Sequence, residues 1–318
     1  MAQYTKLTYK EIQQLAQQYN LSVSNYAALE GGAANSSFLL NTAEGQFILT
    51  VTDDEIFSDA VVVADSLCYL EQYDFPTSRL VKAANSEKVT RYKNKDVLVK
   101  RYIPGETNFQ ISDEGLFALG QVLAQLHAIP PPDFVPHELS YGQAFFANAY
   151  GLGFDSAYEE WLELQQADFL AKCPDGLPRS LIHSDVYWDN IIYREGEFQA
   201  LIDFENSCYY FSVFDIASAI SGTCIEVDGT VNLKKAAQIV AGYQQSRPFT
   251  PEEKSALQLF TSYAVTGISF WRYMKYNVHN PTEEKKFLHR ERMMVAKHIQ
   301  AIPTAEFNQV LGLGGKLD

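Results

Sequence analysis

Two rhythms of apolar residues divide this chain. Through residue 102 short strand-like runs dominate, and beyond it the apolar spacing is mostly helical. Thr8 and Glu11 have the spacing of a capping box, in which hydroxyl and carboxylate each satisfy a backbone donor. Ile12, Leu15, Ala16 and Tyr19 then share one helical face up to Asn20. Strands are expected at 23–29, 37–41 and 46–51, the last two joined by a turn at 43–45. A helix is expected over 58–73, with Val62, Leu67 and Leu70 among its apolar positions, and further strands at 79–83, 88–92 and 97–102.

Pro104 and Gly105 close this region and mark a crossing point. The expected division is an N-terminal lobe, 1–103, and a C-terminal lobe, 104–318. Ser112 can cap a helix carrying Leu116, Leu119, Leu123 and Leu126, stopped by the prolines at 130–132. Helices are also expected at 158–170, 213–224, 233–245, 252–276 and 282–301. Between them lies a hairpin, 191–193 and 198–204, around a turn at 194–197. The fold class is therefore α+β: an antiparallel-sheet N-lobe and a mainly helical C-lobe.

Composition changes this picture little. At 318 residues the chain can hold two cores, and 47% hydrophobic with 20% charged residues is ordinary for a globular protein. No run approaches ~18 uninterrupted apolar residues, so no membrane span is expected. The N-terminus lacks the apolar core of a secretory signal. Cys68, Cys173, Cys208 and Cys224 are far apart and form no C-x-x-C pair, as expected of reduced thiols in a cytoplasmic protein. A net charge of −14 excludes nonspecific nucleic-acid binding and docking on anionic lipid as expected functions.

The chemistry-bearing stretch is Leu181-Ile-His-Ser-Asp-Val-Tyr-Trp-Asp-Asn190, followed by Ile202, Asp203 and Phe204. Asp185 and Asn190 stand five apart, the spacing of base and metal-binding asparagine in the kinase catalytic loop. Asp203 then falls where the metal-binding carboxylate of the kinase Asp-Phe-Gly segment would be. Phosphoryl transfer requires such a set: Asp185 to take the hydroxyl proton, and the hard oxygens of Asn190 and Asp203 to hold Mg²⁺. Taken singly, Asn190 reads as a strand cap and Asp203 as a turn residue; their joint spacing carries the assignment. His183 is read as scaffolding for the loop, because the other five histidines show no ligand spacing. Asp215 lies in an otherwise apolar helical pattern and needs partners, for which the backbone donors of the catalytic loop are candidates.

Small residues at 31–36 lie between two expected strands, so that Gly31, Gly32, Asn35 and Ser36 can bring backbone amides close to phosphates. A hairpin turn has the same composition for conformational reasons alone. Residues 312–316 resemble a phosphate loop poorly, since no Ser or Thr and no helix follow.

These residues together resemble the aminoglycoside phosphotransferase-like family, which includes choline kinases and type II homoserine kinases. The family pattern, roughly H-x-D-x-x-x-x-N, I-D-F/W and D-[IL]-A, reads here as His183 to Asn190, Ile202 to Phe204, and Asp215 to Ala217. The resemblance covers nearly the whole chain. It implies a two-lobed protein-kinase-like fold, ATP and Mg²⁺ as cofactors, and transfer of the γ-phosphate to the hydroxyl of a small molecule. The first lobe is most similar to type II homoserine kinases, which resemble this chain in carrying no lysine on the third strand, where Thr50 stands. Lys100 is a candidate for the phosphate-binding cation.

For the substrate two readings stay open. Glu205 can attract an ammonium, bind metal through water or lie outside the site. With Trp188, Tyr209, Tyr210 and Trp271 as aromatic faces it resembles choline and ethanolamine kinases. Arg272, beside Trp271, can instead grip the carboxylate of an amino acid. Homoserine or a related amino alcohol is the leading expectation, before choline or ethanolamine and then an aminoglycoside. A catalytically silent kinase fold that binds nucleotide or a partner protein is the alternative of another class.

Overall fold

The structure, a computed structural model, describes residues 5–29, 35–53 and 59–314. It has two compact units. The first takes the chain through Glu106 and includes Gln199–Asn206; the second holds Thr107–Phe198 and the chain from Ser207 onward.

The first unit is a six-stranded antiparallel sheet. Its strands are β1 (Val23–Ala28), β2 (Asn35–Thr42), β3 (Gly45–Thr52), β4 (Leu80–Val81), β5 (Thr90–Tyr92) and β6 (Lys95–Arg101), in the order β1-β2-β3-β6-β4 with β5 also on β6. Alternation along each strand sends residues to opposite faces. Phe38, Leu40, Phe47, Leu49, Val51, Val97 and Val99 form one face and bury Ile12, Leu15 and Ala16 of helix α1 (Tyr9–Gln17), with Tyr19 just beyond its end. On the other face Leu98 packs against Ala60, Val63, Ala64 and Leu67 of helix α2 (Ala60–Glu71). Both partners of the Thr8–Glu11 capping box are present. Residues 54–58 lie outside the described residues, and with them the expected start of α2.

The second unit is mainly helical: α3 (Asp113–Ala128), α4 (Ser156–Lys172), α5 (Ser212–Thr223), α6 (Leu233–Ser246), α7 (Pro251–Met274), α8 (His289–Ala301) and α9 (Thr304–Val310). The structure is thus α+β, with an antiparallel sheet in the first unit and a mainly helical second unit. Two expectations are corrected. The helix expected over 282–301 begins only at His289, because Asn277 draws on the Lys286 carbonyl and the chain makes a separate short turn at Glu283–Lys285. The strand expected to reach residue 204 stops at Leu201, since Asp203 adopts φ +70° and no strand tolerates that. The hairpin is β8 (Ile191–Arg194) with β9 (Glu197–Leu201). Gln199–Asn206 counts with the first unit, where Leu201 N–H bonds the Pro76 carbonyl and Phe204 meets Phe75 edge-on.

Candidate active site

A two-stranded ribbon, β7 (Arg179–Ile182) antiparallel to β10 (Cys208–Phe211), delivers the chain to His183. Directly after β10, helix α5 starts with every residue buried. Asp215, in its first turn, is fully buried. Its carboxylate accepts the backbone N–H of His183 at 2.8 Å and of Ser184 at 2.6 Å, and it contacts Nε2 of His127 at 3.1 Å. The other ring nitrogen of His127 meets the Tyr243 hydroxyl at 2.6 Å. One turn along α5, Ser218 accepts the Val186 N–H at 3.0 Å and donates to the Ser184 carbonyl at 2.7 Å. Tyr141 donates to the same carbonyl at 2.7 Å. Its phenol is pushed well above the ordinary range, by burial first and by the nearby Asp185 charge second, which keeps it a donor.

These bonds hold Ser184 at φ +70°, a conformation costing a non-glycine residue about 1–2 kcal/mol. The turn aims Asp185 outward while His183, fully buried, accepts the Asp185 N–H at 3.2 Å through Nδ1. Asn190 donates from Nδ2 to the Asp185 carbonyl at 2.9 Å and to its carboxylate at 3.3 Å. Its Oδ1 is therefore turned away from Asp185 and is the atom able to meet a cation. From α5, Gly222 lets the loop pass: a Cβ there would lie 2.2 Å from the Val186 carbonyl oxygen.

In the first unit, Asp203 follows β9 in the left-handed region, and Phe204–Asn206 makes a short 3-10 turn. Glu205 accepts a hydrogen bond from the Asn35 side chain, whose Oδ1 accepts the Asp53 N–H at 3.2 Å. The structure thus brings together a residue expected at phosphate and one expected at substrate. Ser36 points to the opposite sheet face, as the strand period requires, and its hydroxyl is bound to Asp53. Thr50 is buried, 3.3 Å from the Ser37 hydroxyl. Lys100, on β6, pairs with Ile48 and Leu80. Gly31 and Gly32 lie outside the described residues.

Trp188 is half-buried and meets Phe109 edge-on. Trp271, on α7, already carries the Lys275 ammonium over its ring at 4.8 Å. Tyr209 and Tyr210 do not form an aromatic cage together: as strand neighbours they point apart, Tyr209 to His137 and Tyr210 to Phe214. Arg272 donates to the Leu288 carbonyl at 3.3 Å and to Glu291 at 3.2 Å. The sequence reading missed Ser218, His127 and Tyr141. Ser218 stands three residues beyond Asp215 on the same helical face, a signal that could have revealed it.

Among the described residues no group of three or more His, Cys, Asp and Glu side chains is gathered for a metal. Asn190, in the second unit, and Asp203, in the first, each offer a hard oxygen of the kind Mg²⁺ takes, an ion that keeps most positions for water and phosphate. No helix among the described residues is long and apolar enough to cross a membrane.

Residues 25–249 match the model of the phosphotransferase enzyme family. Among curated proteins, a homoserine kinase of Phenylobacterium zucineum (strain HLK1) is 29% identical over 265 residues, covering 81% of this chain and 82% of that protein. One of Caulobacter sp. (strain K31) is 27% identical over 268 residues, covering 81% and 84%. Among solved structures, amicoumacin kinase hAmiN with AMP-PNP, Ca²⁺ and Ami superposes with TM-score 0.70 at 15% identity, covering 94% of this chain and 97% of that one. A microcompartment-associated aminopropanol kinase gives TM-score 0.69 at 18% identity, covering 96% and 99%. At these identities the structures speak to the fold.

Proposed function

Starting from a chain that belongs to the phosphotransferase enzyme family, we propose a kinase that transfers the γ-phosphate of ATP to the hydroxyl of homoserine or a closely related amino alcohol. That the chain is a phosphotransferase acting on a hydroxyl group follows from family and relatives. The choice of homoserine rests on relatives of that name matching over most of this chain, whereas the likeness to a choline/ethanolamine kinase family protein and to an ethanolamine kinase, each 14% identical, speaks to the fold alone.

The observation that carries the reading is the catalytic loop, in which Asp215, Ser218 and Tyr141 fix the backbone around Asp185. Asp185 takes the proton of the substrate hydroxyl as its oxygen bonds to the γ-phosphorus and the bond to the bridging oxygen breaks, releasing ADP. Asn190 and Asp203 are the residues that would hold Mg²⁺. Magnesium supplies neutralisation of charge between the β- and γ-phosphates. Asn35, Lys100 and the glycines at 31–32 are assigned to the nucleotide. Ser36 is kept as its backbone amide alone, since Asp53 occupies its hydroxyl. Glu205 acts through Asn35.

An ADP-release assay over homoserine, choline, ethanolamine and a kanamycin-type amine tests the order. Turnover of homoserine should be highest; clear turnover of choline with none of homoserine overturns it. Asp185→Ala should lower kcat by roughly 10²–10⁴, as loss of a general base does, with ATP affinity nearly unchanged.

A further inference from the structure

Helices α7 and α8 bring two arginines to one side of the catalytic loop. Arg292, on α8, places its guanidinium 5.6 Å from the centre of the Tyr187 ring, and Tyr187 is two residues beyond Asp185. Arg272, on α7, has a side chain only 19% exposed. Its pKa is lowered, by burial first and by the Arg292 charge second, with Tyr187 among the groups acting on it. Arg272 bonds Glu291, the residue just before Arg292, and the two positive charges act on each other, a repulsion that an anion between them would offset. Among the described residues the acid paired with Arg272 is Glu291, whose side chain is 68% exposed. Such a surface pair is worth at most about 1 kcal/mol and exchanges readily for a better anion. A second observation points the same way. The Tyr187 hydroxyl is shut off from solvent and has no hydrogen-bond partner among the described residues. A buried donor left so costs about 1–3 kcal/mol.

We infer that Arg272 and Arg292, with the hydroxyl of Tyr187, form the site that recognises the carboxylate of the substrate. This deepens the reading above, on which it rests for the identity of that substrate. A carboxylate accepts from forked guanidinium donors in pairs, and its spare lone pairs can take the phenol O–H. Displacing Glu291 removes a weak contact and relieves both the repulsion and the orphaned hydroxyl. The site discriminates between amino alcohols with and without a carboxylate, and it selects amino-acid substrates.

Two measurements test it. The first is equilibrium binding of aminobutyrate, which keeps the carboxylate of homoserine and lacks its hydroxyl, so that no turnover is needed. Arg292→Ala and Arg272→Ala should each weaken it by roughly ten- to a hundredfold, the loss of a charged hydrogen bond, and Tyr187→Phe by a fewfold. Arg292→Lys keeps the charge and the stem over Tyr187 but not the fork, so a loss there is not one of folding. Unchanged binding in all four variants, or no binding to the unaltered protein, overturns the inference. The second is the ratio of kcat/KM for homoserine over aminopropanol, its carboxylate-free analogue, which should fall at least tenfold in Arg292→Lys; an unchanged ratio also overturns it. Arginine-dependent aminobutyrate binding in a protein that leaves homoserine unphosphorylated would sustain the carboxylate site while ending the homoserine kinase reading.

Discussion

At Asp215 one carboxylate with no exposure to solvent accepts two consecutive peptide N–H groups and faces a histidine. Replacing it with asparagine substitutes an amide N–H₂ for one acceptor oxygen, and that amide then faces another donor. Each buried donor left unpaired costs about 1–3 kcal/mol, and breaking a buried charged pair about 3–5. Asp215→Asn should therefore destabilise the protein by roughly 2–4 kcal/mol in urea unfolding. It should lower kcat as well, because Ser184 loses what holds it at φ +70°. A change under about 1 kcal/mol with kcat intact would show that the loop keeps its shape without this anchor. That Asp215 needs partners was readable from its apolar surroundings. Their identity was readable only in part, because His127 comes from a distant segment.

Helices α3 and α6 approach through a pair of glycines. A Cβ on Gly120 would stand 2.1 Å from the Ile239 carbonyl oxygen, and one on Gly242 would stand 2.0 Å from that of Phe117. Alanine in place of glycine favours a helix by about 1 kcal/mol. Forcing two backbones apart in a packed interior costs about 1–3 kcal/mol and sometimes more. The steric effect wins, since both obstacles are backbone atoms that cannot swing aside. Gly120→Ala should lower stability by roughly 1–2 kcal/mol in chemical denaturation, and a rise would refute close backbone packing here. Because α6 also provides Tyr243 to His127, the same change should disturb the support of Asp215.

Across the molecule several carboxylates are held ionised by the fold. Glu11 is lowered to about 2 by the Tyr92 hydroxyl and the Thr8 donors. Burial pushes Asp53 up, but bonds from Lys95, Ser36 and Thr5 outweigh it and leave it lowered. Asp155 is lowered likewise, with Arg290 and His289 overcoming burial. Each contributes stability that is present above the unfolded carboxylate value of about 4 and is lost as pH falls toward the folded value. His289 adds the same slope earlier. Burial lowers its pKa, so its contribution begins to fade as pH drops below about 6.5. The urea midpoint should decline gently from pH 6.5 and steeply below about pH 4. A midpoint constant down to about pH 3 would contradict this account. The net charge of −14 weighs little here, because the effect comes from a few bonded acids.

The sequence by itself determined what depends on local order. Helical spacing in Leu116, Leu119, Leu123 and Leu126 announced α3, and alternation announced β2 and β3 with their turn. The five-residue step from Asp185 to Asn190 marked the loop, because a short motif carries its own geometry. Tertiary structure alone decided what depends on partners far along the chain. β7 has four residues and no pattern of its own, and it is a strand because β10 lies beside it. Glu205 meets Asn35 across 170 positions. Arg292 is one charge among several on a polar helix until α7 and the catalytic loop are in place. Periodicity reports which face a residue occupies, whereas packing settles what that face meets.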